Sequence, residues 1–350
     1  MNIQQLLDLT ITNNASDLHL SVDFPPSLRI NGELLPIPGT EPVSGEQIEV
    51  LVDPLLSPDQ KKIFLETLEL DFSFEFQKKG RFRVNIYKQR GNTAAALRLI
   101  PYLIPPVEEL GLPQALNKIP DLKQGFILVA GPTGHGKSTT LASFINRINQ
   151  SRAAHIITIE DPIEYVYPAG KSLIDQREMY RDTKSWNNAL RAALREDPDV
   201  VLIGEMRDLE TISSALTIAE TGHLVFATLH TNSAAQSIDR IVDVFPQNQQ
   251  PQIKLQLAAT LEAIISLRLI PTIEPGRVLG SEILFATPAV RNVIREGKTY
   301  LIDNLIETSA EMGMQILERS LTSLVKDGKI SEETALRFAL RPELLSKLLR

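Results

Sequence analysis

Phe126-Ile127-Leu128-Val129-Ala130 runs without a break into Gly131-Pro132-Thr133-Gly134-His135-Gly136-Lys137-Ser138, and that junction decides the fold. Five consecutive apolar residues read as a strand buried on both faces. The next eight fit G-x-x-x-x-G-K-[ST], a loop whose glycines let backbone N–H groups turn inward around phosphate oxygens. Lys137 is expected to reach the β- and γ-phosphates of a nucleotide, and the Ser138 hydroxyl to ligate its Mg²⁺. Residues 138–149 read as a helix that aims its positive dipole end at the same anion. The candidate nucleotide-binding residues are therefore Gly131, Pro132, Thr133, Gly134, His135, Gly136, Lys137, Ser138 and Thr139.

On either side of this junction, strand patterns alternate with helical ones, the signature of a parallel sheet with crossover helices. Four apolar runs read as buried parallel strands: 126–130, 155–159, 200–204 and 224–229. In such sheets ligands bind beyond the carboxyl ends of the strands. All four runs end in polar or glycine-rich residues: the phosphate loop, Glu160-Asp161, Glu205 and His230. Glu205 can polarise an attacking water or hold Mg²⁺ through water. Glu160, Asp161 and Glu164 form an acidic cluster that needs a facing cation, either Mg²⁺ or arginine. His230 is placed to sense a γ-phosphate or to hydrogen-bond towards Glu205. His223, at the other flank of the last run, has no assigned role.

The first hundred residues mix helix and strand. Ile3, Leu6, Leu7 and Ile11 stand at helical spacing, and 17–22 alternates. Residues 27–30 followed by Asn31-Gly32 read as a hairpin. Two helices are expected over 44–55 and 57–70, each opened by a serine cap. Residues 71–76 and 81–87 alternate around a turn at Lys78-Lys79-Gly80, and 94–100 is a further strand. Pro101, Pro105, Pro106 and Pro113 then crowd one segment and mark a linker. The expected organisation is an α+β domain over 1–100, a linker over 101–120, an α/β core over 121–270 and a mainly helical region over 271–350. Within that last region two helices are expected over 313–326 and 331–339. Residues 255–270, interrupted by Gln256, Glu262 and Arg268, read as an amphipathic core helix.

Composition narrows the function classes. The 350 residues contain no cysteine, which removes disulfides, thiol nucleophiles and thiolate metal sites. A net charge of −7 argues against nucleic acid as the main partner. Met1-Asn2-Ile3-Gln4-Gln5 has no basic region and no apolar run reaches 18 residues, so neither a secretory signal nor a membrane span is expected. The expected location is cytoplasmic. Arg81, Arg83, Arg90 and Arg98 lie on or beside strands of the first domain. Ring-forming P-loop motors often complete their site with a neighbouring subunit's arginine, and Arg81 and Arg98 are the candidates here.

Three further stretches resemble one family. Ile156-Ile157-Thr158-Ile159-Glu160-Asp161-Pro162-Ile163-Glu164-Tyr165 resembles the aspartate box of the type II/IV secretion ATPases. Gly204-Glu205-Met206-Arg207-Asp208 resembles their Walker B segment, and Thr221-Gly222-His223 through Leu229-His230-Thr231 their histidine box. Ala289-Val290-Arg291-Asn292-Val293-Ile294-Arg295-Glu296 is similar to the C-terminal signature of the PilT-type subgroup, which retracts type IV pili. His135 stands where the family often has Ser, at a position expected to supply only backbone chemistry. Ile174-Asp175-Gln176-Arg177-Glu178-Met179-Tyr180 departs from the family pattern at three places.

The resemblance implies a PAS-like N-terminal domain, a RecA-like P-loop ATPase domain with a helical C-terminal tail, and a homohexameric ring. It implies ATP and Mg²⁺ as cofactors, Glu205 as catalytic base, Glu160 and Glu164 beside metal and phosphate, and arginines of the first domain completing the site. The ring would act on the inner-membrane pilus platform protein, peripheral to the inner face of the membrane, with a paralogous retraction ATPase as a further partner. Arg291, Asn292 and Arg295 would serve motility rather than hydrolysis. Motors that extend pili resemble this chain but are longer, with a four-cysteine zinc site. The cysteine-free 350 residues therefore argue for retraction. A nucleic-acid translocase or a nucleotide-gated switch on the same core are the competing readings.

Overall fold

The protein is described from a computed structural model covering residues 1–30, 32–77, 79–100 and 103–350. Asn31, Lys78, Pro101 and Tyr102, which fall in two expected turns and the linker, lie outside these residues. The chain divides into two compact units. One comprises Met1–Leu103 with Pro162–Val166, the other Ile104–Asp161 with Tyr167–Arg350.

The first unit is built on six antiparallel strands: β1 (Asp17–Leu20), β2 (Ser27–Ile30), β3 (Glu33–Pro36), β4 (Glu69–Phe76), β5 (Gly80–Gln89) and β6 (Asn92–Ile100). Their order is β3-β2-β1-β6-β5-β4. Helices Gly45–Val52 and Pro58–Thr67 start where the serines stand. Ser44 and Ser57 each cap the third backbone N–H, while Gln47 and Gln60 reach back in reciprocal capping boxes. The second helix is shorter than its expected 57–70. Leu68 turns left-handed at φ 63° and the chain enters β4 at Glu69, where pairing with Tyr87 outweighs helical spacing. Leu6, Leu7, Leu18, Phe82, Val84, Ile86 and Leu97 form the centre of this unit's core.

The second unit contains a seven-stranded sheet: β7 (Gly125–Ala130), β8 (His155–Glu160), β9 (Leu173–Glu178), β10 (Val200–Ile203), β11 (Leu224–Leu229), β12 (Leu261–Pro271) and β13 (Arg277–Phe285). The order is β13-β12-β7-β11-β10-β8-β9. Every pair is parallel except β12–β13. The four expected strands are all present, at the centre of the sheet. β7, β10 and β11 are buried along their whole length, as their apolar runs require.

The expected helix over 255–270 is not what the chain forms. Helix Gln250–Thr260 ends at Thr260 and β12 begins at once with Leu261. β12 pairs edge to edge with β7 on one side and β13 on the other, and most of its residues on both faces are buried. Its long apolar run is therefore a central strand's, not a helix's. The sheet also continues past 270 through β13, and regular helix resumes only at Pro288–Glu296. Residues 313–316 likewise lie outside the helix expected over 313–326. Gln315 exchanges two backbone hydrogen bonds with Ile283, and the helix is Leu317–Lys326. It packs with Glu332–Phe338 and Pro342–Leu349 around a small apolar cluster containing Leu317, Leu321 and Leu345.

Candidate active site

The phosphate loop leaves the buried end of β7 at Gly131. Its φ of 143° and its approach to β12, where a Cβ would lie 2.6 Å from the Leu267 carbonyl oxygen, admit no other residue. Gly134 and Gly136 also take positive φ, 79° and 86°, and helix Lys137–Ser151 starts directly after them. Backbone donors and a helix N-terminus thus converge on one concavity, which fits a nucleotide's phosphates. Lys137 is buried and its Nζ donates to the carbonyls of Gly131 (2.8 Å) and Pro132 (3.0 Å), holding the ammonium across the loop.

His135 does more than expected. Its Nδ1 accepts the Leu269 backbone N–H at 3.0 Å and so pins the loop's tip to β12. That bond requires an unprotonated Nδ1. Burial, followed by Arg268, Lys137 and Arg277 nearby, holds the imidazole below the ordinary histidine range. The assignment of backbone chemistry alone to this position is therefore corrected.

Strand order brings the other strand ends alongside. From β7 outward come β11, β10 and β8, which lead to His230, Glu205 and Glu160 in that spatial sequence. His230 Nδ1 lies 3.5 Å from Lys137 Nζ, and its Nε2 lies 3.4 Å from Glu205 Oε2. An ammonium can only donate, so Nδ1 accepts and Nε2–H points to the carboxylate. The histidine thus lies between the phosphate-loop lysine and Glu205. Arg207 pairs with the other Glu205 oxygen, and that bond raises the affinity of its own guanidinium for its proton. The Glu205 side chain is 14% exposed, so these partners hold it in a largely dry setting.

Glu160, at the end of β8, is buried and accepts from Thr158 Oγ1 at 2.7 Å and Gln176 Nε2 at 3.4 Å. Asp161 follows it in the second unit, whereas Glu164 belongs to the segment grouped with the first. His223 sits at the opposite end of β11, where its Nδ1 meets the Ile218 carbonyl oxygen at 3.0 Å. It finishes helix Leu209–Glu220 and stands apart from the strand ends that carry chemistry.

Arg81, Arg83, Arg90 and Arg98 all belong to the first unit. Arg81 is buried and donates to Ser73 Oγ at 2.5 Å, and Arg83 pairs with Asp71 at 2.6 Å. Arg90 occupies the turn between β5 and β6. Arg98 pairs with Asp17 at 2.8 Å, yet its side chain is 67% exposed.

Among the described residues no cluster of three or more His, Asp or Glu forms a metal cage. Arg207, Gln176 and the His135 ring were not recognised in the sequence as contributors. For Arg207 a signal existed, an opposite charge two residues from Glu205. The Gln176 contact crosses between the paired strands β8 and β9 and the His135 contact joins a loop to a strand far along the chain, and neither leaves a local signal.

A phosphate loop on an inner parallel strand, with a carboxylate and a histidine on the ends of the strands beside it, defines a RecA-like P-loop ATPase core. Residues 69–334 match the family model described as "Type II/IV secretion system protein". The chain belongs to the type II/IV secretion system protein family.

Among its relatives, a Pseudomonas aeruginosa protein named "Type IV pilus retractation ATPase PilT" is 47% identical over 343 residues, covering 98% of this chain and 99% of that one. The P. aeruginosa "Type IV pilus ATPase PilU" is 39% identical over 340 residues, covering 97% of this chain and 89% of that one. The crystal structure of the pilus retraction motor PilT with bound ADP superposes with a TM-score of 0.92 at 46% identity, covering 99% of both chains. No helix among the described residues is long and apolar enough to cross a membrane.

Proposed function

We propose that this chain is an ATP-hydrolysing motor that drives type IV pilus retraction and hence twitching motility. The carrying observation is the continuous contact from Lys137 through His230 to Glu205 across three strand ends. Glu205 polarises the attacking water. His230, touching the lysine that would hold the terminal phosphates, reports their presence to that base. Lys137 and the helix N-terminus neutralise charge on the transferred group, the largest contribution expected of such a site. Ser138 would help to hold a Mg²⁺ brought with the nucleotide, and that ion would supply charge neutralisation at the phosphates. Glu160 supports this arrangement from the next strand.

The working form in this reading is a homohexameric ring, peripheral to the cytoplasmic face of the inner membrane. It acts on the pilus platform protein, and exposed Arg98 and buried Arg81 are candidates to complete a site. The similarity to PilU keeps a second reading in view, an accessory partner of a main retraction motor.

Steady-state ATPase assays of wild type, Lys137→Ala and Glu205→Ala test the enzymatic core. Lys137→Ala should abolish nucleotide binding. Glu205→Ala should bind ATP yet lose about 10²-fold or more in kcat. A wild type no faster than Lys137→Ala would refute it. In cells lacking the gene, Glu205→Ala should leave abundant pili without motility, whereas bald cells would point to assembly.

A further inference from the structure

The segment carrying His230 is fastened from the β12–β13 hairpin at two points. Arg268 of β12 donates Nη2 to Asn232 Oδ1 at 2.8 Å. Glu282 of β13 accepts the Ala234 backbone N–H at 2.7 Å. Asn232 and Ala234 follow His230 by two and four positions in the sequence. Glu282 is 2% exposed, yet it lies outside every catalytic role described above. It faces Ser266 in the ladder, and Ser266 faces Ala130, the last residue before the phosphate loop.

We infer that Glu282, with Arg268, is a positioning residue for hydrolysis, setting where His230 stands between Lys137 and Glu205 by holding the start of helix Ala234–Asp243. This rests on the ATPase reading and deepens it. A carboxylate in such a dry place is unusual unless its charge state matters. Burial, with Asp303 and Glu318 nearby, pushes Glu282 up to about 7, against the Ala234 N–H and Arg341, which favour its ionised form. Arg268 feels the same carboxylate. Arg341 pairs with Glu318 at 3.0 Å and Asp303 at 3.3 Å, so these three groups and Arg268 are the charges that surround Glu282. An ionised carboxylate accepts the Ala234 N–H more strongly than a neutral one. The grip on the His230 segment should therefore tighten as pH rises through neutrality.

The experiment measures kcat and KM for ATP between pH 5.5 and 9 in the full-length protein. It compares wild type, Glu282→Gln, Glu282→Leu, His230→Ala and the His230→Ala/Glu282→Leu double variant. Glu282→Gln keeps an acceptor but cannot ionise, so the wild-type to Glu282→Gln ratio of kcat should climb with pH around 7. Glu282→Leu removes the acceptor and should lower kcat about tenfold with little change in KM, but less than about twofold in the His230→Ala background.

A flat ratio for Glu282→Gln would overturn the inference, as would equal losses in the two backgrounds. Should Glu282→Leu fail to fold, the Glu282→Gln profile decides alone. A hydrolysing wild type with either negative outcome defeats this inference only. A wild type no faster than Lys137→Ala defeats the ATPase reading as well.

Discussion

At the residue scale, His135 shows how one side chain can bind a catalytic loop to its scaffold. Its neutral ring accepts the Leu269 N–H, and protonation would remove that acceptor while placing a cation beside Lys137. Because the folded state holds this imidazole below its ordinary value, its contribution is fully present above the ordinary histidine range. It is lost as pH falls below that range. His135→Ala should therefore cost on the order of 1 kcal/mol at pH 7.5, and the gap to wild type should narrow by pH 5. Urea denaturation at the two pH values checks this, and a gap independent of pH would show that the ring only fills space. Arg98 offers a different case. Its guanidinium is exposed, and the buried Asp17 it pairs with also keeps Arg29 and the Ser16 hydroxyl as partners, so losing Arg98 does not leave that carboxylate alone. Arg98→Ala should leave melting and ATP binding near wild type while lowering turnover if the residue completes a site. Equilibrium nucleotide binding beside the ATPase rate separates these outcomes.

At the element scale, the C-terminal signature proves to be in part a structural fastening. Arg291 donates to the carbonyls of Ala258 (2.7 Å) and Ala259 (2.9 Å) and to Glu262 (2.7 Å). It thereby caps the last turn of Gln250–Thr260, where carbonyls lack helical partners and a cation is favoured. Arg295 and Asn292 instead contact each other on the exposed face of their own helix, at 3.2 Å. Arg291→Ala should cost about 1–3 kcal/mol in chemical denaturation, and Arg295→Ala about 0.5 or less. Equal costs would remove the cap from the account. The same region shows where the sequence was legible. β7, β8, β10 and β11 could be read because turns or polar residues bound each apolar run. At Thr260–Leu261 helix passes to strand with neither Gly nor Pro between, and Gln256, Glu262 and Arg268 interrupt the apolar run without marking the change. Only the neighbours on both sides decide that stretch, and they are supplied by distant chain. The candidate site residues Lys137 and Glu205 could be picked out for the opposite reason, since each follows a locally recognisable run.

At the scale of the whole molecule, the candidate chemistry and the remaining structure are built on different cores. The groups that would act on a nucleotide hang from the ends of buried parallel strands, which fix them tightly. The arginines of the first unit stand on an antiparallel sheet with its own core. The helical cluster near the C-terminus has a third, smaller core. Glu282 is the charged group that senses that helical region from within the large sheet. Since its folded value exceeds that of an unfolded glutamate, it is an acid that destabilises the fold when ionised. Glu282→Gln should gain relative stability by about 1.4 kcal/mol per pH unit between roughly 4.5 and 7, and no more beyond.

The pin between His135 and Leu269 joins residues 134 positions apart. β7 likewise pairs directly with β12, although β8 to β11 lie between them in sequence. During synthesis, then, the phosphate loop emerges long before the strand that fixes its shape. Contacts of such separation form late and slowly. A chain released before β12 is made would display the whole nucleotide motif and still lack its binding geometry. Competence to bind ATP is in this sense a certificate that the second unit has been completed.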